Sequence, residues 1–436
     1  MRNEHPGRPC RRAAVAAVAL AVLAGVAGCG SGSSGGGTGT AGSPVTIRFV
    51  WWGNDDRAKA TKDAVALFAQ RNPTIKVQTE FSAYDAYYQK LSTQIAGGAA
   101  PDLLQIDRPN LGEYAGRHAL LNLGQYLGTT VHTDQIAPDL LAGGKVNGNQ
   151  YAIPGGQLTQ MLVYDPARFT KAGVRVPAPG TWTWAAFADA MAKVDTADGV
   201  PGTTDFGWAI DWFEVWLHQQ GKALYTDGGK LGFTQADLTA FWTMTADMRS
   251  RKAVSVPQAT TKMDGSMANS ALVTKQAASE INYDSSLTAY LTSYGSPLQA
   301  TAVPSDGSTS GMAAMPSVGF AVAQASAHKD AAVKLLDFLT NDPDAGKLLG
   351  ATRGLPPNLQ IRATVCGAST GNSRAVCDYE QSVKAQIGPA FGAWPKGSAT
   401  IKRDFQTVYD DVIFGKASVA GGAKRVIDDA NGTLSQ

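Results

Sequence analysis

From Val45 to Ile106 strand-like and helix-like segments alternate, and that alternation limits the possible folds more than any other feature of the chain. Val45-Thr46-Ile47-Arg48-Phe49-Val50 has strand character. The positions of Val65, Leu67 and Phe68 predict a helix over 56–72, stopped by Asn72-Pro73. A second strand follows over 75–81, a second helix over 84–96, and a third strand over 103–106 after the turn from Gly97 to Pro101. This β-α-β-α-β order implies an α/β fold with mostly parallel sheets flanked by helices. Helical patterns recur over 183–194, 234–253, 329–339 and 343–349, and Thr234 with Asp237 forms a variant capping box. The 436 residues, 44% of them hydrophobic, are enough for two lobes of this kind.

Ahead of the first strand the chain reads as a targeting segment. Arg2, Arg8, Arg11 and Arg12 precede an apolar run over 13–26 that is too short to span a bilayer. Val26-Ala27-Gly28-Cys29 resembles a bacterial lipobox, so 1–28 is expected to be a lipoprotein signal peptide and Cys29 the lipidated first residue. Residues 29–43 are then a Gly/Ser tether; the fourteen residues after Cys29 have an r.m.s. reach of roughly 20 Å. The remaining pair, Cys366 and Cys377, reads as a local disulfide in an exported chain.

Charge and motifs exclude several functions. Lys+Arg 38 against Asp+Glu 36 gives no basic face for a nucleic acid. No zinc spacing, P-loop or H-E-x-x-H occurs, so neither a metal nor another cofactor is expected. What recurs instead is an aromatic beside a planar polar group at the end of a strand. Examples are Trp51-Trp52-Gly53-Asn54-Asp55-Asp56, Asp107-Arg108 after the third strand, Trp208 with Asp211-Trp212, and Asn282-Tyr283-Asp284. Open sheets bind ligands at that edge. A pyranose offers an apolar face to an aromatic ring and hydroxyls to Asp, Asn, Gln and Arg, so the pattern points to sugar.

Longer stretches carry a family resemblance. They include Phe68-Ala69-Gln70-Arg71-Asn72-Pro73, Gln94-Ile95-Ala96-Gly97-Gly98-Ala99-Ala100-Pro101-Asp102, Tyr151-Ala152-Ile153-Pro154, Gly180-Thr181-Trp182-Thr183-Trp184, Gly319-Phe320-Ala321-Val322 and Arg353-Gly354-Leu355-Pro356-Pro357-Asn358. In order and spacing they resemble the extracellular solute-binding proteins of carbohydrate-uptake ABC transporters, of the maltose-binding type. The resemblance implies a two-lobe periplasmic-binding-protein-like fold with a sugar cleft between discontinuous lobes. One lobe would be 44–153 plus 308–345 and the other 154–304 plus 348–436, with crossings near Pro154, 304–311 and Gly346. It also implies a monomeric, non-catalytic receptor, anchored through Cys29 on the extracellular face of the membrane, that delivers sugar to permease subunits.

Carried over residue by residue, the resemblance assigns Trp52, Asn54 and Asp55 to the ligand from the first loop, and Asp107 with Arg108 from the third strand. Gln157, Asn282, Tyr283, Asp284 and Arg353 follow, with Trp212 and Trp394 as further stacking candidates. Strand parity puts Trp51 on the core face and Trp52 on the other, with Asp56 as the helix cap. Two other functions stay open: binding of a non-sugar solute such as a polyamine or peptide, and glycan cleavage using Asp55 or Asp107.

Overall fold

The computed structural model describes residues 44–435, so the signal peptide, Cys29 and the tether lie outside the described residues. Strand β1 (Val45–Trp52) pairs in parallel with β2 (Ile75–Ser82) over its whole length and with β3 (Leu103–Ile106) at Phe49 and Val50. Helix α1 (Asp55–Arg71) connects the first two, and α2 (Tyr84–Ala96) leads to the third. Two further strands, Met315–Val322 and Ile153–Leu158, complete the five-stranded sheet and run antiparallel. A separate three-stranded sheet, Ser279–Tyr283, Gln160–Tyr164 and Gln299–Thr301, is antiparallel throughout.

Parallel pairing therefore holds among the first three strands and gives way to antiparallel pairing in the rest of the five-stranded sheet and throughout the three-stranded one, while a short separate pair, Met312–Ala313 with Ile387–Gly388, is parallel. The cause is the path of the chain. It leaves the first sheet along Ile153–Leu158, enters the second after one residue, Thr159, and returns along Met315–Val322. The outgoing and returning strands lie side by side and so point in opposite directions. Core membership follows the same path. Ile47, Phe49 and Trp51 pack on one face of the first sheet and Val50, Leu104 and Ile106 on the other. A third core takes Met161 to Val303, Met312, Ala313, Met315, Leu355 and the last helices. The chain thus changes core at Thr159, near Met315, and between Leu349 and Leu355; Pro154 lies in the first sheet and Gly346 inside a helix.

Local rules explain the helix starts. Asn54, not Asp56, caps α1: its extended backbone lets Oδ1 accept from the Arg57 N–H at 3.0 Å, and Asp55 and Asp56 fall in the first turn. Asp107 caps α3 (Arg108–Gly116), with Pro109 in its first turn. Thr234 and Asp237 form the capping box read from sequence. At the crossing, a Cβ on Gly156 would lie 1.9 Å from the Arg353 carbonyl, so only glycine lets the two segments meet there.

The crossing also buries charge. The Thr159 N–H donates to Asp284 Oδ1 at 2.8 Å and its hydroxyl donates to Glu380 Oε1 at 2.6 Å. Asp284 is 0% exposed and its Oδ2 has no hydrogen-bond partner. Burial first, and then the Glu380 charge, push its carboxyl well above 3.8, so it is held protonated. A raised carboxyl contributes stability that is full below its unfolded value and lost as pH rises through the folded one. Asp284→Asn, neutral at every pH, is therefore expected to gain stability relative to the parent between about pH 5 and pH 8. Urea unfolding at both ends checks this, and parallel pH profiles would disprove it.

Trp51 is 0% exposed, stacks on Phe81 with centroids 6.1 Å apart and touches Phe49 at 4.8 Å. Trp51→Ala is expected to cost about 3–5 kcal/mol, read as a lower denaturant midpoint. A midpoint within error of the parent would refute that placement.

Candidate functional site

A cavity of about 510 Å³, within the range of small-molecule sites, is lined from both sides of the crossing. Tyr84 at the start of α2 and Asp107 at the end of β3 come from the five-stranded half. The opposite wall carries Trp208, then Asp211 and Trp212 from the first turn of the helix Ile210–Gln219. Asn282 and Tyr283 end the edge strand Ser279–Tyr283, with Glu280 two residues before Asn282 on that strand. A turn over 263–270 adds Met263, Asp264 and Asn269, and the helix Ser398–Ile413 adds Lys402 and Gln406.

Aromatic faces are held in place by polar tips. Trp212 and Tyr283 pack at 4.9 Å with a 42° tilt, and the Tyr283 hydroxyl donates to Asp211 Oδ1 at 3.1 Å. Lys402 Nζ lies 2.7 Å from Asp211 Oδ2. Burial works to raise the Asp211 carboxyl, but Lys402 and the Tyr283 hydroxyl outweigh it and hold the group below 3.8, hence ionised. Across the cavity Asp107 accepts from the Tyr84 hydroxyl at 2.5 Å and from Tyr88 at 2.9 Å, besides its capping bonds to Asn110. Glu280, 2% exposed, accepts from Tyr290 at 2.5 Å and Ser270 at 2.7 Å. Burial raises its carboxyl beyond what these bonds restore.

Four of the residues expected at the ligand line this cavity: Asp107, Trp212, Asn282 and Tyr283. The other eight are placed differently, each for a physical reason. Trp52 packs among Tyr84, Tyr87 and Tyr88, with centroids 5.3–5.6 Å away, behind the cavity wall. Asn54 caps α1, and Asp55 faces solvent in its first turn. Gln157 is 4% exposed and bonds Glu380 and Arg362, while Asp284 is sealed at the crossing. Arg353 is 3% exposed under Phe320, donating to Gln105 and Thr61 at 2.9 Å, so it neither reaches the cavity nor forms an ion pair. Trp394 is 2% exposed and donates to Glu214 at 3.3 Å.

Arg108 points away from the cavity but joins the two halves. Its Nη1 and Nη2 donate to Glu214 Oε2 and Oε1 at 2.7 and 2.8 Å, while Nη2 and Nε donate to the Gly392 carbonyl and the guanidinium lies 5.0 Å over the Trp394 ring. The fork is bidentate and mostly buried. Of the residues not assigned from sequence, Trp208 and Asp211 stand in the same aromatic–polar cluster as Trp212 and could have been taken with it. Tyr84, Asp264, Glu280, Lys402 and Gln406 carry no local signal; only tertiary packing brings them in.

Comparison with known proteins fits this geometry. The profile of the bacterial extracellular solute-binding protein family matches residues 52–346. A lipoprotein in the oleD 5′ region of Streptomyces antibioticus is 30% identical over 173 residues, which is 39% of this chain and 37% of that relative. A family 1 extracellular solute-binding protein from Alicyclobacillus acidocaldarius superposes with a TM-score of 0.70 at 27% identity, covering 91% of this chain and 100% of that one. An ABC substrate-binding protein from Listeria monocytogenes, in complex with cycloalternan, gives 0.76 at 21% identity over 90% and 100%. With a two-walled cavity, a fold built on two main sheets and a profile match over most of the chain, this protein belongs to the bacterial extracellular solute-binding proteins.

Proposed function

We propose that the chain captures a mono- or oligosaccharide on the outer face of the cell membrane and passes it to the permease subunits of an ABC transporter. The reading rests on the cavity, where Trp208, Trp212 and Tyr283 offer ring faces beside the planar polar groups of Asp107, Asn282 and Gln406. The cycloalternan held by the Listeria protein of the same fold is consistent with it. The halves that share each core act as lobes that close on ligand, turning at the segments around Thr159, Met315 and 350–354. Cys29 carries the lipid that tethers the monomer. Cys366 and Cys377, with Cα atoms 5.8 Å apart, form a disulfide suited to an exported chain. The protein performs no catalysis.

Calorimetric titration with a panel of mono- and oligosaccharides tests the central claim. Saturable heat from at least one sugar is expected; binding only of a peptide or a polyamine would defeat it. Two variants test the site. Trp208→Ala, which removes a partly exposed ring from the wall, is expected to weaken the best sugar by about 1–3 kcal/mol, roughly tenfold or more, with the circular dichroism spectrum of the folded protein retained. Undiminished affinity would remove Trp208 from the site.

Arg108→Ala breaks the fork that joins the lobes without touching the cavity wall. The closed population should fall, so apparent affinity drops in proportion while the radius of gyration measured by X-ray scattering rises. If scattering and affinity both match the parent, Arg108 does not hold the lobes together.

A further inference from the structure

The cavity has an uneven charge balance, which bears on the ligand if the sugar reading of the previous subsection holds. Four carboxylates line it, Asp107, Asp211, Asp264 and Glu280, against one cation, Lys402. Lys402 already sits 2.7 Å from Asp211. Among the described residues, none of the other three carboxylates has a Lys, Arg or His nitrogen within ion-pair distance. Each is held by neutral donors instead: Asp107 by tyrosine hydroxyls, Glu280 by Tyr290 and Ser270, and Asp264 by the Ser266 N–H and the Asn269 amide at 2.8 Å. The nearest arginine on the five-stranded side, Arg108, is turned into Glu214.

A neutral ligand would leave those three charges uncompensated and, on closure, less hydrated than before. An ammonium group would compensate them and could lie against the tryptophan and tyrosine faces as well. The broad ring surfaces and the amides of Asn269, Asn282 and Gln406 still call for a hydroxylated ring rather than a thin polymethylene chain. We infer that the preferred ligand is an aminated sugar, a saccharide carrying at least one free, protonated amine directed at Asp264 and Glu280. Glu280 is the most sensitive of these groups: its burial penalty is relieved when a cation approaches.

The test is calorimetric titration of the intact protein with matched sugars that differ at one substituent: glucose, glucosamine and N-acetylglucosamine, and the corresponding β-1,4-linked disaccharides. The amine is expected to bind about tenfold tighter than its hydroxyl and N-acetyl counterparts at low salt, a preference that shrinks as ionic strength rises. Asp264→Asn, a change on an exposed turn, should reduce the ratio of amine to neutral-sugar affinity and flatten its dependence on ionic strength. Hydroxyl or N-acetyl members that bind as tightly as the amine, or tighter, overturn this inference and leave the sugar-receptor reading standing. A panel in which spermidine binds and no sugar does overturns both, as does a panel in which nothing binds.

Discussion

Everything in this molecule turns on Thr159. It is the single residue between a strand of one sheet and a strand of the other, and it is fully buried. A buried backbone with unmet hydrogen-bonding groups would be costly, so its partners are fixed: the N–H goes to Asp284 and the hydroxyl to Glu380. Glu380 also accepts from Gln157, whose amide oxygen accepts from Arg362. Gln157 and Asp284, two of the polar groups that the resemblance assigned to ligand, are thus engaged at the crossing, because a chain that passes between two cores must hydrogen-bond itself on the way.

With the crossing fixed, the site follows from strand ends. β3 ends in Asp107, which starts α3, and Ser279–Tyr283 ends in two residues that face the same space. Asp107 serves local and tertiary structure together: it caps a helix and orients Tyr84 and Tyr88. Such doubly used carboxylates are rigid, and a wall that is already ordered loses little entropy when a ligand binds.

How much of this was legible in the sequence depends on whether a residue's role is local. The alternation of elements, the capping box at Thr234 and the opposite faces of Trp51 and Trp52 were readable, since each rests on a period of a few residues. Asp107, Trp212, Asn282 and Tyr283 were readable as strand-end groups beside aromatics. Arg353 and Trp394 could not be told apart from interior residues for the opposite reason. Sequence offers each both a ligand role and a structural one, and each is held inside by partners about 180 or more positions away, Gln105 and Thr61 for one and Glu214 for the other. Lys402 and Asp264 could not be found at all, because nothing near them in the chain marks the cavity they line. The antiparallel pairing of Met315–Val322 was hidden in the same way: it depends on where the chain returns.

Neighbouring residues part company at the cavity edge, and this parting sets its charge. Asp107 faces in while Arg108 turns out to Glu214; Tyr283 faces in while Asp284 turns back to Thr159. Had Arg108 entered the cavity it would have offset one of the three unpaired carboxylates, and Glu214, 3% exposed, would have been left buried without its partner. Losing a buried charge's partner costs about 3–5 kcal/mol, more than an exposed pair returns, so the arginine stays with Glu214. The same choice that joins the two halves leaves the cavity acidic.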